Sequence, residues 1–469
     1  MHTDPRQQIP SVTMMLEQDS IQRLAETHGR EFIVGMLQSA LDQLRRGFGN
    51  TAEVAQTRDQ LIQRVSSNVE GELNDLLGLR PHPVVNATGI LLHTGLGRAP
   101  LSDDAIAAVA DASRSCLLEV DPMTGDRRYR GFQVDHLLRL LTGAPSSLVV
   151  NNNAAATLLV LKSLCANREV ILSRGQLVEI GGSFRLPEIF EQAGVRLREV
   201  GTTNRTHIED YAAAVNERTA AIMRVHASNY RIVGFTSEPD TRELSRLAQA
   251  HNLLMIDDIG SGLPAPMLME ATRDEPDFRT SVESGADVVL GSADKLLGGP
   301  QAGLIVGRTD LISQLKRQPL ARCLRIDKLN LAALHATLQQ HANGSAARRI
   351  PFYQMLSAST QSLTERAERI IGQLGEHAPG CIHHSPTVAQ VGGGSCAGVS
   401  LPSVSIVLTM QQMSAENALR RLRQGRPAVW GRIQDEQIWL DLRSVLPADD
   451  QQLTEALSSL FHNSDTATH

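Results

Sequence analysis

Between residues 84 and about 335, short apolar runs alternate with segments long enough to be helices. That alternation limits the possible folds more than any other feature of the chain. The runs are SSLVVN (146–151), REVILS (168–173), RLREVG (196–201), AAIMRVH (220–226), LLMIDD (253–258), ADVVLGS (286–292) and GLIVGR (303–308). Strands separated by helix-length segments need crossover connections, and crossovers build a mostly parallel sheet. Near-continuous apolar character suits strands covered on both faces. The expectation is an α/β domain over 81–335 with helices on both sides of its sheet. A chain of 469 residues exceeds one ordinary core, so further domains should flank it.

The flanking regions read differently. Ile33, Leu37, Leu41 and Leu44 recur at helical spacing, and a second helix is expected over about 51–66. The segment Gly78-Leu79-Arg80-Pro81-His82-Pro83 ends this pattern, because each proline disfavours helix before it. This makes 1–80 a helical N-terminal domain. From 336 to 469 the pattern is mixed. Helices are expected at 358–375, 414–424 and 449–461, strands at 403–410 and 437–445, and a glycine turn at 392–394. That mixture suits a small α+β domain ending in a frayed tail, HNSDTATH.

Composition excludes several function classes. Aromatic residues are 3% of the chain and net charge is -6, which argues against an aromatic base-stacking platform and against overall basic character. Five cysteines without CxxC spacing argue against a disulfide framework or a structural zinc site and suit a reducing compartment. The start, MHTDPRQQIP, lacks the apolar run of a signal peptide, and no stretch approaches the length of an apolar membrane span. A cytoplasmic location is expected. Of the 45 basic residues only Lys162, Lys295, Lys316 and Lys328 are lysines, so amine chemistry has four candidates.

Ligands of open α/β sheets bind at the C-terminal ends of strands. After 146–151 comes Asn151-Asn152-Asn153-Ala154-Ala155-Ala156, a turn of small residues opening a helix, which suits phosphate or a plain capped helix start. After 253–258 come Asp257 and Asp258; adjacent buried carboxylates need a partner, and magnesium and a pyridinium nitrogen are both readings. After 286–292 comes Ser292-Ala293-Asp294-Lys295 and a Gly-Gly-Pro turn. A desolvated lysine there loses its proton readily and can act as a nucleophile; the plain alternative is a surface pair with Asp294. Spacing favours the cofactor reading. Asn229, Asp257 and Lys295 follow a phosphate-type turn in the order used by fold-type-I pyridoxal 5'-phosphate (PLP) enzymes. In that layout Asp257 keeps the pyridine nitrogen protonated and Asn229 donates to the ring oxygen. Asn153, Ala154 and Ser292 hold the phosphate, and Lys295 holds the aldehyde carbon. No metal site is expected.

Longer strings carry a more specific resemblance. VVNATGILLHTGLGRAPLS (84–102), LTGAPSSLVVNNNAAATLLVL (141–161), EVILSRGQLVEIGGSFRLPEI (169–189), VHASNYRIVGFT (225–236), IDDIGSG (256–262), SADKLLGGPQAGLIVGR (292–308) and RCLRIDKLNLAALHATL (322–338) resemble the bacterial selenocysteine synthases, L-seryl-tRNA(Sec) selenium transferases. The resemblance covers nearly the whole chain. It implies loss of the serine hydroxyl from seryl-tRNA(Sec) to give an aminoacrylyl-tRNA, followed by addition of selenium from selenophosphate. Lys295 is then the base for the Cα proton, with Asp294 as an active-site acid. The alternative is a PLP-dependent lyase, a dehydratase or ammonia-lyase acting on a small amino or sugar acid.

The resemblance also implies that Arg98, Arg322 and Arg325 bind selenophosphate; a helix beginning at 322 would put the last two on one face. It implies that residues 1–80 grip the tRNA, although they hold 8 arginines and no lysine against 11 acidic residues. A homodecamer, a pentamer of dimers, is the implied assembly. Two segments depart from the family pattern: Gly95 replaces an asparagine, and EVDPMTGDRRYRG (119–131) carries Pro122, Met123 and Tyr129 out of pattern. His226 reads either as a cofactor neighbour or as a structural histidine. Arg443 is left unassigned, and Cys323 is expected to be a buried thiol.

Overall fold

The structure, a computed structural model, describes residues 8–47, 57–78, 81–180, 184–267, 269–375 and 381–465. The chain divides into two compact units, Met1–Pro83 and Val84–His469.

The first unit is helical. Helices Val12–Leu16, Asp19–His28, Arg30–Gly47 and Arg58–Gly78 pack around Ile33, Leu37, Leu41 and Leu44. Leu61, Val65, Val69 and Leu73, four residues apart, supply the facing stripe. The expected second helix thus runs later than 51–66, and 51–56 lie outside the described residues.

The second unit contains fifteen strands among its described residues. In chain order they are β1 (Val84–Asn86), β2 (Ser146–Val150), β3 (Glu169–Ser173), β4 (Glu179–Ile180), β5 (Phe184–Arg185), β6 (Arg196–Val200), β7 (Thr219–Val225), β8 (Leu254–Gly260), β9 (Val288–Ser292) and β10 (Gly303–Gly307). The rest are β11 (Ile382–Gly392), β12 (Ser395–Leu408), β13 (Ala428–Trp430), β14 (Arg432–Gln434) and β15 (Gln437–Asp441).

All seven expected runs between 146 and 308 are strands of one sheet, ordered β2-β10-β9-β8-β7-β3-β6. It is mostly parallel, as expected; only β10 runs antiparallel, to both β2 and β9. Two apolar layers cover it. Helix Asn153–Leu164 and its neighbours pack on the side holding Val225 and Ile256, while Ile222, Met255 and Phe278 belong to the other layer. β6 differs from the rest: it is an edge strand with Arg196, Arg198 and Glu199 exposed, so RLREVG is not a doubly covered run.

A four-stranded antiparallel sheet, β11-β12-β15-β14, follows. The long hairpin arm β11 does not declare itself in the sequence, because in IHHSPTVAQVG the polar His383, His384, Ser385, Thr387 and Gln390 break up the apolar residues. β1 pairs in parallel with β13, so the chain just after Pro83 joins the C-terminal layer. The last helix, Asp450–Asp465, continues into the expected tail, of which 466–469 lie outside the described residues. No helix among the described residues is long and apolar enough to cross a membrane.

Candidate active site

The ends of β2, β8 and β9 converge on a cavity of about 220 Å³. Lys295, Asp258, Asn153, Ala154 and Ser292 line it, with Arg98 and Asp294 at the same wall. Two glycines are required by this convergence. A Cβ on Gly262 (φ +75°) would lie 1.7 Å from the Ser292 carbonyl oxygen, and one on Gly303 would lie 2.1 Å from that of Asn152.

Lys295 sits in the turn after β9 and is 4% exposed. Its Nζ donates to the Gly394 carbonyl at 3.2 Å. Burial, and then the nearby Arg98 cation, push its pKa below the ordinary lysine value. Arg98 reaches Asp294 Oδ2 at 2.7 Å from a left-handed backbone (φ 63°), so this pair borders the lysine. The helix opening at Asn153 is capped by Asn152, whose side chain accepts from the Ala155 N–H at 2.8 Å. Its first-turn N–H groups have no intrahelical partner, and such a start favours an anion.

The adjacent aspartates part company. Asp258 lies in the cavity, accepting from Asn153 Nδ2 at 2.9 Å and Thr157 Oγ1 at 3.2 Å. Burial raises its pKa. Asp257 points to the other face of β8, where it accepts from Ser281 Oγ at 2.8 Å, Thr241 Oγ1 at 3.2 Å and Arg224 Nη1 at 3.2 Å. The expectation for Asp257 is therefore corrected: side chains alternate along a strand, and the carboxylate beside Lys295 belongs to its neighbour. Asn229 is also displaced from its expected place. It is exposed and donates to the Glu179 carbonyl at 2.8 Å, while Ser228 lines the cavity.

Arg322 and Arg325 are not on one helical face. A short helix ends at Cys323 and the next starts at Lys328, so Arg325 lies between them. Its backbone bridges Val150 beside the Asn151 turn, and its guanidinium donates to Glu119 at 3.0 Å. Arg127 and Arg130 reach the same carboxylate at 2.9 and 3.0 Å, which holds the Glu119 pKa low. Arg322 is exposed, and neither Arg322 nor Arg325 lines the cavity. Cys323 is exposed rather than buried. Arg443 is committed to the backbone carbonyls of Met355, Leu356 and Pro402.

Sequence reading passed over Thr157, Ser228 and Gln301, weighed Asp258 only as the neighbour of Asp257, and left His226 open; all five line the cavity. The strand period says that only one of Asp257 and Asp258 faces a given layer. It does not say which, since β8 is apolar on both sides.

The arrangement offers a buried amine of lowered proton affinity, a buried carboxylate across from it, and a helix start suited to an anion. These groups fit an aldehyde-bearing pyridine phosphate: the amine for its aldehyde, the carboxylate for its ring nitrogen, and the helix start for its phosphate.

Comparison with known proteins agrees with this chemistry. The family model described as L-seryl-tRNA selenium transferase matches residues 84–446, and one described as selenocysteine synthase N terminal matches 6–45. The L-seryl-tRNA(Sec) selenium transferase of Moorella thermoacetica is 43% identical over 456 residues, 96% of each chain. That of Geotalea daltonii is 40% identical, covering 97% of this chain and 98% of its own. Among solved structures, a D-glucosaminate-6-phosphate ammonia-lyase aligns with a TM-score of 0.58 at 21% identity, covering 84% of this chain and 99% of its own; it shares the fold.

Proposed function

The chain belongs to the L-seryl-tRNA selenium transferase family, and from that premise we propose that it converts seryl-tRNA(Sec) to selenocysteinyl-tRNA(Sec) with selenophosphate as selenium donor and PLP as cofactor. The observation that carries this reading is the buried pairing of Lys295 and Asp258 in one cavity at the start of helix Asn153–Leu164.

When bound, PLP supplies an electron sink that makes the Cα proton of the seryl group removable. The chain supplies the rest. Asp258 would hold the pyridine nitrogen, Asn153 and Ala154 with Ser292 would hold the phosphate, and Lys295 would hold the aldehyde carbon. Asp258 in turn is oriented by Asn153 and Thr157. Lys295, as a neutral amine, would take the Cα proton of the seryl group; burial and the Arg98 charge favour that form. Asp294, held by Arg98, stands beside it in the active site. Arg98 borders the cavity and is the first anion contact for selenophosphate; Arg322 and Arg325 extend the cationic path outward. The helical unit 1–83 is the tRNA-gripping part, in keeping with the separate match over 6–45. The enzyme works in the cytoplasm, as a pentamer of dimers.

The test is direct. Purified protein is given seryl-tRNA(Sec) and selenophosphate, and the aminoacyl group is identified after hydrolysis. Selenocysteine is expected. Turnover of a free amino or sugar acid, with no engagement of the tRNA, would overturn the reading in favour of a lyase.

A further inference from the structure

One buried carboxylate reaches both groups that flank Lys295. Glu275 lies between the helical turn Glu270–Thr272 and helix Phe278–Glu283, with its side chain 6% exposed. Its Oε1 accepts the backbone N–H of Cys396 at 2.6 Å. Cys396 has a left-handed backbone (φ 52°) and follows Gly392, Gly393 and Gly394, all with positive φ. This is the tip of the β11–β12 hairpin, and its Gly394 carbonyl receives the Lys295 amine. The tip is tightly seated. A Cβ on Gly393 would lie 2.9 Å from Leu92, and one on Gly394 would lie 3.5 Å from Lys295 Nζ.

The other oxygen of Glu275 faces His226. Oε2 and Nε2 are 3.5 Å apart, and both atoms are buried without a hydrogen-bond partner. His226 lines the cavity together with Lys295 and Ser228. Two unsatisfied buried polar atoms of opposite tendency, this close, mark a pair that tightens on a small movement.

We propose that Glu275 is a positioning residue for the reaction: one oxygen fixes the glycine turn over the Lys295 amine, and the other orients the His226 imidazole at the cavity wall. The inference rests on Lys295 being the reactive amine. Glu275 acts through the turn and the imidazole, and it also adds a negative charge to the surroundings of the lysine. The charges facing Lys295 are Arg98 from the 93–98 turn, Asp294 from its own turn, Asp258 from β8 and Glu275. Around Glu275 itself stand His226 and Cys396, and Arg273, Asp274 and Asp277 line one cleft with it.

Charge and scaffolding make opposite forecasts. Removing the Glu275 charge removes an attraction for the protonated lysine, so Lys295 should lose its proton at lower pH. Losing the acceptor for the Cys396 N–H as well would loosen the turn and admit water, and Lys295 would then titrate at higher pH.

The measurement is trace labelling of the full-length, cofactor-free chain with acetic anhydride across a pH series. Peptide mass spectrometry follows Lys295, with Lys162, Lys316 and Lys328 as internal references. Glu275→Gln keeps an acceptor for the Cys396 N–H, and so keeps the turn. It should move the Lys295 midpoint to lower pH, and Glu275→Asp by less. An unchanged or raised midpoint in the Gln variant would overturn the proposal. A second arm tests His226. Glu275→Gln and His226→Gln should each lower kcat with little change in KM for seryl-tRNA, and the double variant should be no worse than the weaker single one. Additive losses would separate His226 from Glu275 and overturn that half. Borohydride capture of the cofactor at another lysine would instead defeat the functional reading, and the labelling result would stand apart from it.

Discussion

The cavity around Lys295 and the arginine cluster around Glu119 are built in opposite ways. The cavity groups come from the ends of strands in a sheet covered on both faces, and Lys295 and Asp258 are almost fully buried. The cluster sits on connecting segments: Arg127 is 74% exposed on its side chain, and Arg325 lies in the break between two helices. Lys295, Arg98 and Asp258 each have partners of their own, whereas three guanidiniums share one Glu119 carboxylate. Burial makes a group's chemistry depend strongly on its neighbours, while exposed charges are screened. Substitutions should therefore be far more costly in the cavity than in the cluster.

The largest effect is expected at Lys295. Lys295→Ala should abolish turnover and shift no label to Lys162, Lys316 or Lys328 when the protein is reduced with borohydride in the presence of PLP; a covalent adduct on one of those three would break the assignment. Asp258→Asn should come next, lowering kcat by about a hundredfold or more through loss of charge at the ring nitrogen. Its neighbour is the sharper half of that test. Asp257→Ala leaves the Arg224 guanidinium without its buried partner and should cost about 3 kcal/mol of stability, read as a lower thermal midpoint, with PLP affinity little changed. If the two variants exchange phenotypes, the facing of β8 has been misjudged.

Arg98→Met should have a smaller, directional effect. The Arg98 cation lowers the Lys295 pKa, so removing it raises that pKa. The acid limb of the pH–rate profile, where the amine must be neutral, should move to higher pH; an unmoved limb would show that the lysine is not the titrating base. Glu119→Gln should matter least. It removes the shared carboxylate charge from three arginines, one largely and two partly exposed, with a stability change of about 1 kcal/mol or less. A severalfold change in KM for selenophosphate would show that the cluster belongs to the anion path. No change would leave it a surface network.

Periodicity and strand-end position are legible in the sequence. Seven apolar runs became the strands of one sheet, and the lysine chosen from four lies at a strand end, almost fully buried. These features are local: a strand declares itself by its apolar run, and a glycine turn by its residues. What failed to show was whatever depends on facing or on distant partners. Asp257 and Asp258 are equivalent by pattern, and only packing against helix Asn153–Leu164 separates them. Arg322 and Arg325 satisfied a helical spacing in a segment where the chain breaks its helix. β11 was hidden by the polar residues that break up its apolar ones.

By itself, then, the sequence determined the α/β class and the family and singled out one strand-end lysine as the candidate amine, because these rest on short-range pattern and on residue types with few chemical uses. Tertiary structure alone decided which aspartate joins the amine. It also brought Glu275 and Cys396, 121 residues apart, to the same turn. Those pairings arise from how sheet and hairpin meet in space, where the burial of a carboxylate depends on neighbours that the local chain does not encode.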